Sequence, residues 1–205
     1  MTTNESAAPV PAPAPTDPYA ERIERFERLA AKLGRSSRLV SNFRGLSFGT
    51  AVIALVLATL GGESAGAPIA VLGAVLFVGC VVWHARVIAA EDDALRMARV
   101  NLDARARVTG AWHALPDDGR RFASDEHPYA LDLDRFGPGS LYQRVNVAHT
   151  RFGQKALARF LTEPADPPQI RLRQEAARAL EPLLEERQRL EALASATSAE
   201  SELRL

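Results

Sequence analysis

Two long apolar runs, Leu46–Leu60 and Pro68–Trp83, dominate the pattern of hydrophobic and polar positions along the chain. A short polar stretch, Gly61–Ala67, separates them, and neither run contains Lys, Arg, Asp or Glu. Each falls slightly short of the ~20 apolar residues that cross a bilayer core of about 30 Å. Phe43 and Gly45 before the first run, and Ala85, Val87 and Ile88 after the second, extend them. Arg86 can keep its stem in apolar surroundings and carry its guanidinium to the interface. In lipid every backbone polar group needs an internal partner, and a pair of helices meets that demand. The pattern therefore predicts a transmembrane helical hairpin over 45–90. The competing reading, a helix pair inside a soluble core, fits less well, because such helices usually keep one polar face. Gly45-x-x-x-Gly49 and Ala70-x-x-x-Ala74 put small residues one turn apart, a spacing that allows close helix contact.

The pattern on either side is also helical. Tyr19–Arg38 reads as an amphipathic helix within a juxtamembrane unit, 19–44. Its apolar stripe is Ile23, Phe26, Ala30 and Leu33, and Asp17 or Thr16 can cap it ahead of Pro18. Glu21–Arg25 and Glu24–Arg28 are i,i+4 pairs in the favourable order. This helix either lies on the membrane surface or packs against the rest of the protein. After the hairpin, Ile88, Leu95 and Leu102 recur every seven residues with Ala98 on the same stripe, which predicts a helical stalk over 91–112 that ends near Gly110. A polar linker, 113–130, contains the turn signal Pro116-Asp117-Asp118-Gly119. In the last unit, 131–205, Ser140 can cap a short helix, Leu141–Val147, and Thr150 another, with Phe152, Ala156, Leu157, Phe160 and Leu161 on one face. Glu163-Pro164 stops that helix. Asp166-Pro167-Pro168-Gln169 is a start signal for a further one, with Ile170, Leu172, Ala176, Leu180, Leu183, Leu184 and Leu190 apolar and Pro182 placed to kink or divide it. Thr150–Leu161 and Asp166–Leu193 are expected to pair as an antiparallel hairpin. Ser195–Leu205 loses the periodicity.

Charge gives the hairpin an orientation. Arg22, Arg25, Arg28, Lys32, Arg35, Arg38 and Arg44 precede it and Arg86, Arg96 and Arg99 follow, while the intervening loop carries only Glu63. Basic flanks stay on the cytoplasmic side, so the expected location is the inner, cytoplasmic membrane with both termini in the cytoplasm and Trp83 as an interfacial anchor. The whole chain of 205 residues has no formal net charge and so lacks the basic footprint a DNA-binding domain often shows. Residues 1–18 form a Pro/Ala-rich tail whose composition favours extended, unpacked chain. It has no apolar core of the kind a secretory signal carries.

Candidate chemistry is sparse. The single cysteine, Cys80, lies in the second apolar run, where it behaves as a small hydrophobe. His84, His113, His127 and His149 have no metal-ligand spacing. Gly137-Pro138-Gly139-Ser140 lacks the Lys of a phosphate loop and reads as a turn. Asp132 with Asp134 reads as a surface loop, and Arg171 with Arg173 as part of a solvated helix face. No catalytic, cofactor-binding or metal-binding residue is assigned, and this chain is not expected to be an enzyme.

One ordered string stands out between His127 and Leu180: Asp132-Leu133-Asp134 with Phe136-Gly137, Ser140-Leu141-Tyr142, Asn146, Thr150 and Gly153, then Leu157, Phe160-Leu161, Pro164, Ile170, Arg173-Gln174 and Ala177. It resembles the core, or lever-base, segment of the MutS family of DNA mismatch-repair ATPases, and most of all the membrane-anchored MutS-related branch. In that family a Thr-x-x-Gly opens a helix that ends in a leucine-rich turn and Pro, and a second helix begins Ile-x-x-Arg. The resemblance implies an all-α chain, a transmembrane helical hairpin followed by part of a MutS-like core. It also implies that this is the N-terminal membrane-anchoring and scaffold part of a longer ATPase, with ATP and Mg as the full-length family's cofactors. DNA would be engaged through domains this chain lacks, and homodimers formed as in the family. The family's phosphate loop, acidic metal-binding segment and Phe-x-Glu wedge are not among these residues. The other reading is a non-enzymatic membrane adaptor whose cytoplasmic helices bind a protein partner.

Overall fold

The computed structural model describes residues 17–61, 66–123 and 134–202. The proline-rich tail up to residue 16, most of the loop between the apolar runs, and the segment with His127 and Asp132 lie outside the described residues. Every regular element among the described residues is helical: α1 Pro18–Gly61, α2 Gly66–Thr109, α3 Leu141–Val145, α4 Arg151–Thr162, α5 Pro167–Leu180 and α6 Leu184–Glu202. Two short 3₁₀ turns, Ala111–Ala114 and Arg120–Phe122, lie between α2 and α3.

The juxtamembrane helix and the first apolar run form one continuous rod, α1, and the second run and the stalk form another, α2. Each has 44 residues, about 66 Å at 1.5 Å per residue. Asp17 starts α1 by accepting hydrogen bonds from the amides of Tyr19 and Ala20, at 3.0 and 3.2 Å. Within the rods, hydroxyls fold back onto the helix itself: Ser36 donates to the Lys32 carbonyl and Thr50 to that of Leu46. This lets polar residues sit in the rod without an outside partner.

The rods run antiparallel and pack along their length. Asp17 pairs with Arg105 at 2.6 Å, the Glu91 carboxylate lies against Gly34, Ser37 meets His84 at 3.5 Å, and the Phe48 and Phe77 rings are 5.4 Å apart. The amphipathic helix 19–38 is thus a packed helix: Ile23 and Ala30 are buried in the seam, with Phe26 and Leu33 half-buried beside them. On α2 the seam is one residue away from the expected stripe. Val87, Ala94 and Asn101, again seven apart, are buried together with Ala98, while Leu95 is 50 % exposed. Alanines let the backbones approach, so the small residues face inward and the leucines flank the contact. The glycine motif does not mediate contact, since a side chain at Gly45 or Gly49 would meet nothing within 4 Å.

Near the end of the rods, α6 joins them. Gln188 donates to the Asn101 side chain at 2.8 Å and accepts from the Arg22 Nε at 3.0 Å, and Asn101 itself has no exposed surface. Asn101 also donates to the Met97 carbonyl at 2.8 Å. A buried amide costs stability unless its partners are present. These bonds therefore fix which face of α6 meets α1 and α2.

Beyond Trp83 toward the loop, the rods present apolar surface outward. Val71, Leu72, Val75, Leu76, Val78, Val82 and Trp83 are all exposed. Among the described residues one helix segment, within Val71–Thr109, is long and apolar enough to cross a membrane, and only 11 % of its apolar window is buried.

The C-terminal helices depart from expectation. Pro182 divides the long helix into α5 and α6, as a ring without an N–H and with a clash one turn back should do. α6 continues to Glu202 despite the lost periodicity. α4 and α5 do not form a packed hairpin. They meet near their junction, where the Arg173 guanidinium lies 4.0 Å from the Phe160 ring centroid. Phe152, Phe160, Ile170, Leu172 and Leu180 are exposed. Four residues past Thr162 the Asp166 cap starts α5, and the apolar residues of α5 are left exposed.

Candidate functional site

A dense polar cluster forms in the segment expected to be a linker. Asp117-Asp118-Gly119 does turn the chain: the Gly119 amide donates to the Asp117 side chain at 3.1 Å and the Arg120 amide to that of Asp118 at 3.0 Å. It then becomes part of a core. The Asp117 carboxylate accepts two bonds from Arg121, at 2.6 and 2.9 Å, one from Asn146 at 2.9 Å and one from the Tyr142 hydroxyl at 3.3 Å. The Arg121 guanidinium, followed by burial acting the other way, holds the Asp117 carboxyl below its ordinary range. Tyr142 has no exposed surface, and burial together with the Asp117 charge pushes its phenol up to about 12. Phe122, Phe136 and Tyr142 touch one another at tilted angles, with centroids 5.6–6.1 Å apart, a favourable aromatic geometry.

Gly137-Pro138-Gly139-Ser140 serves this core. Gly137 donates its amide to the Asp118 carbonyl at 2.8 Å, Gly139 to the Gln143 side chain at 2.8 Å, and Ser140 caps α3 by accepting from the Gln143 amide. The loop's N–H groups are committed to the protein, so it is a structural turn. Gln143 in turn donates to the carbonyls of His113 and Leu115 at 3.1 and 2.6 Å. Arg107 of α2 donates to the Asn146 carbonyl at 2.5 Å, which ties the cluster to the rods.

A cleft of about 970 Å³ opens beside the cluster. The turn at Asp117 and Arg121, the start of α4 and the end of α6 at Thr197 form its walls. Thr150 is committed as the α4 cap, accepting from the Gly153 amide at 3.2 Å, and His149 lies 3.5 Å from Glu191. Arg151 and Lys155 make no ion pair among the described residues, and Phe152 between them is 89 % exposed. Arg151, Phe152 and Lys155 thus present two cations and an aromatic ring to solvent. The Asp117 carboxylate, with its lone pairs already occupied, is a clamp for the fold.

The other residues singled out in the sequence are dispersed. Asp134 is exposed with a positive φ of 43°, Arg171 is exposed, Cys80 is half-buried on α2, and His113 stacks on Trp112. Among the described residues no group of three His, Cys, Asp or Glu could hold a metal ion. Asp117, Arg121 and Gln143 belong to no site motif in the sequence. The one available signal was the density of turn residues and aromatics between Pro116 and Tyr142. Comparison with family models, with curated proteins and with solved structures finds no match.

Proposed function

We propose that this chain is a membrane-anchored helical scaffold with no catalytic residues of its own. The apolar halves of α1 and α2 would cross the bilayer, and the helices at the other end would act as an adaptor for a protein partner in the cytoplasm. The observation that carries this reading is the outward-facing apolar surface of α2 from Val71 to Trp83. Soluble proteins rarely expose contiguous apolar patches larger than a few hundred Å². The acid-free runs, the Arg-rich flanks and the antiparallel register support a hairpin with both ends inside.

A second reading, the N-terminal part of a MutS-like ATPase, is favoured by one specific observation. The helix starts named in the resemblance are built as that pattern requires: Thr150 caps α4 over Gly153, and Asp166 caps α5 ahead of Ile170. The exposed face of α4 and α5 would then be covered by the parts of such a protein this chain lacks.

Cysteine accessibility tests the membrane reading. With Cys80→Ala in place, Ser64→Cys should react with an impermeant maleimide in intact cells, and Ser124→Cys only after permeabilisation. The reverse pattern would refute the topology. Nucleotide titration tests the scaffold reading: the purified chain should bind no ATP, and a stoichiometric micromolar site would contradict it. The coding sequence that follows Leu205 separates the two readings, since a phosphate loop there, in the same or a shifted frame, supports the ATPase relationship.

A further inference from the structure

We infer that the rods carry a binding site for anionic phospholipid headgroups, a collar of Lys32, Arg35 and Arg86 at the junction of their apolar and polar halves. The inference rests on the membrane reading above and adds to it a chemical preference for one class of lipid.

The register of the rods sets the three cations at nearly the same level along the axis. Ser37 meets His84 and Gly34 meets Glu91. Arg35, between Ser37 and Gly34, is therefore level with Arg86, between His84 and Glu91. Lys32 precedes Arg35 by about one helical turn. All three side chains are exposed. Trp83, 61 % exposed, lies one turn from Arg86 on the apolar side, where an indole marks the headgroup level.

Most cations farther along the rods have a carboxylate or hydrogen-bond partner, Arg25 against the Phe26 ring being the exception, whereas those at this level have neither among the described residues. Farther from the apolar halves, Arg28 pairs with Glu24, Arg96 with Asp93, Arg99 with Asp103 and Arg105 with Asp17. Lys32, Arg35 and Arg86 make no ion pair among the described residues. The nearest acid along α2, Glu91, has its carboxylate against Gly34 of α1, and Asp93 is taken by Arg96. Exposed cations beside a membrane attract anionic lipid within about a Debye length. A phosphate diester supplies the acceptor oxygens that a guanidinium fork fits. A zwitterionic headgroup offers the same phosphate with its charge cancelled, so the site should discriminate by net charge.

The test uses the full chain with Trp112→Phe, which leaves Trp83 as the single indole of the two in the sequence. The chain is reconstituted into vesicles of phosphatidylcholine and phosphatidylglycerol, with bromine on the acyl chains of one lipid or the other. Quenching of Trp83 then reports which lipid surrounds the collar. Brominated phosphatidylglycerol should quench as though enriched on the order of threefold or more over its bulk fraction, and the enrichment should fall toward unity in high salt. Lys32→Gln, Arg35→Gln and Arg86→Gln together should abolish it while flotation shows the chain still in the vesicles. Equal quenching by both lipids overturns the proposal, and so does an enrichment that survives high salt. Enrichment in the triple variant equal to that of its parent also overturns it. If the triple variant does not float, the salt series on its parent decides. Loss of the enrichment on adding inorganic phosphate at constant ionic strength would show a site for soluble anions and refute the lipid assignment. Failure of the membrane reading itself gives a different result: no flotation and no quenching by either lipid.

Discussion

Replacing Gly119 with alanine tests whether the turn at Asp117 is a linker or part of a core. Gly119 has φ +71°, in the left-handed region, and a Cβ there would sit 2.5 Å from Tyr142 Cδ1 and 2.7 Å from Cγ. Those ring atoms cannot step aside cheaply. Phe122 and Phe136 hold the ring at centroid distances of 5.6 and 5.7 Å, and its hydroxyl is bonded to Asp117. Two costs should add. The left-handed backbone costs an alanine about 1–2 kcal/mol, and forcing a methyl into packed surroundings costs about 1–3 kcal/mol. The expected loss is about 2–5 kcal/mol. Gly110→Ala is the internal control. Gly110 has φ +87°, but a Cβ there meets nothing within 4 Å, so only the backbone cost of about 1–2 kcal/mol applies. The assay is hydrogen exchange on the detergent-solubilised chain, following peptides that cover α3 and the 3₁₀ turns. Gly119→Ala should speed exchange there well beyond Gly110→Ala, with α1 unchanged between Ile23 and Ala30. Equal effects of the two substitutions would show that Tyr142 does not press on Gly119 and would refute the packed-core account.

Tyr142 should ionise late, near pH 12, as its raised pKa requires. Its folded value lies above the unfolded one of about 10, so its contribution to stability is complete below that value and is lost as pH rises through the folded pKa. Ultraviolet phenolate titration should show a late step that Tyr142→Phe removes. Asn101→Ala leaves the buried Gln188 amide without its acceptor and should cost about 1–3 kcal/mol, read as faster exchange across α6; unchanged α6 protection would show that the amide contact does not hold the helix. Leu157→Ala should leave exchange in α5 as it is, because the two helices meet only near their junction, and a joint loss of protection would restore the hairpin that the sequence suggested.

The sequence by itself determined what short-range chemistry controls. Asp17, Ser140, Thr150 and Asp166 were legible as caps, and each accepts a hydrogen bond from an amide two or three residues on. The helix ends at Gly110 and Pro164, the break at Pro182 and the stripe Ile23–Phe26–Ala30–Leu33 were legible for the same reason: each depends on neighbours within a turn or two. Tertiary structure decided what depends on distant partners. Heptad spacing was visible on α2, but Ile88–Leu95–Leu102 and Val87–Ala94–Asn101 share that spacing, and burial alone selected the second. Large side chains suggested the first, while close backbone approach favours the row with alanines and an asparagine that Gln188 satisfies from 87 residues away. The Asp117 cluster was hidden likewise. Its turn is a local property, but its role as a clamp requires Tyr142 and Asn146, separated from it by 25 and 29 positions, and no periodicity connects residues that meet only after the intervening chain has folded back.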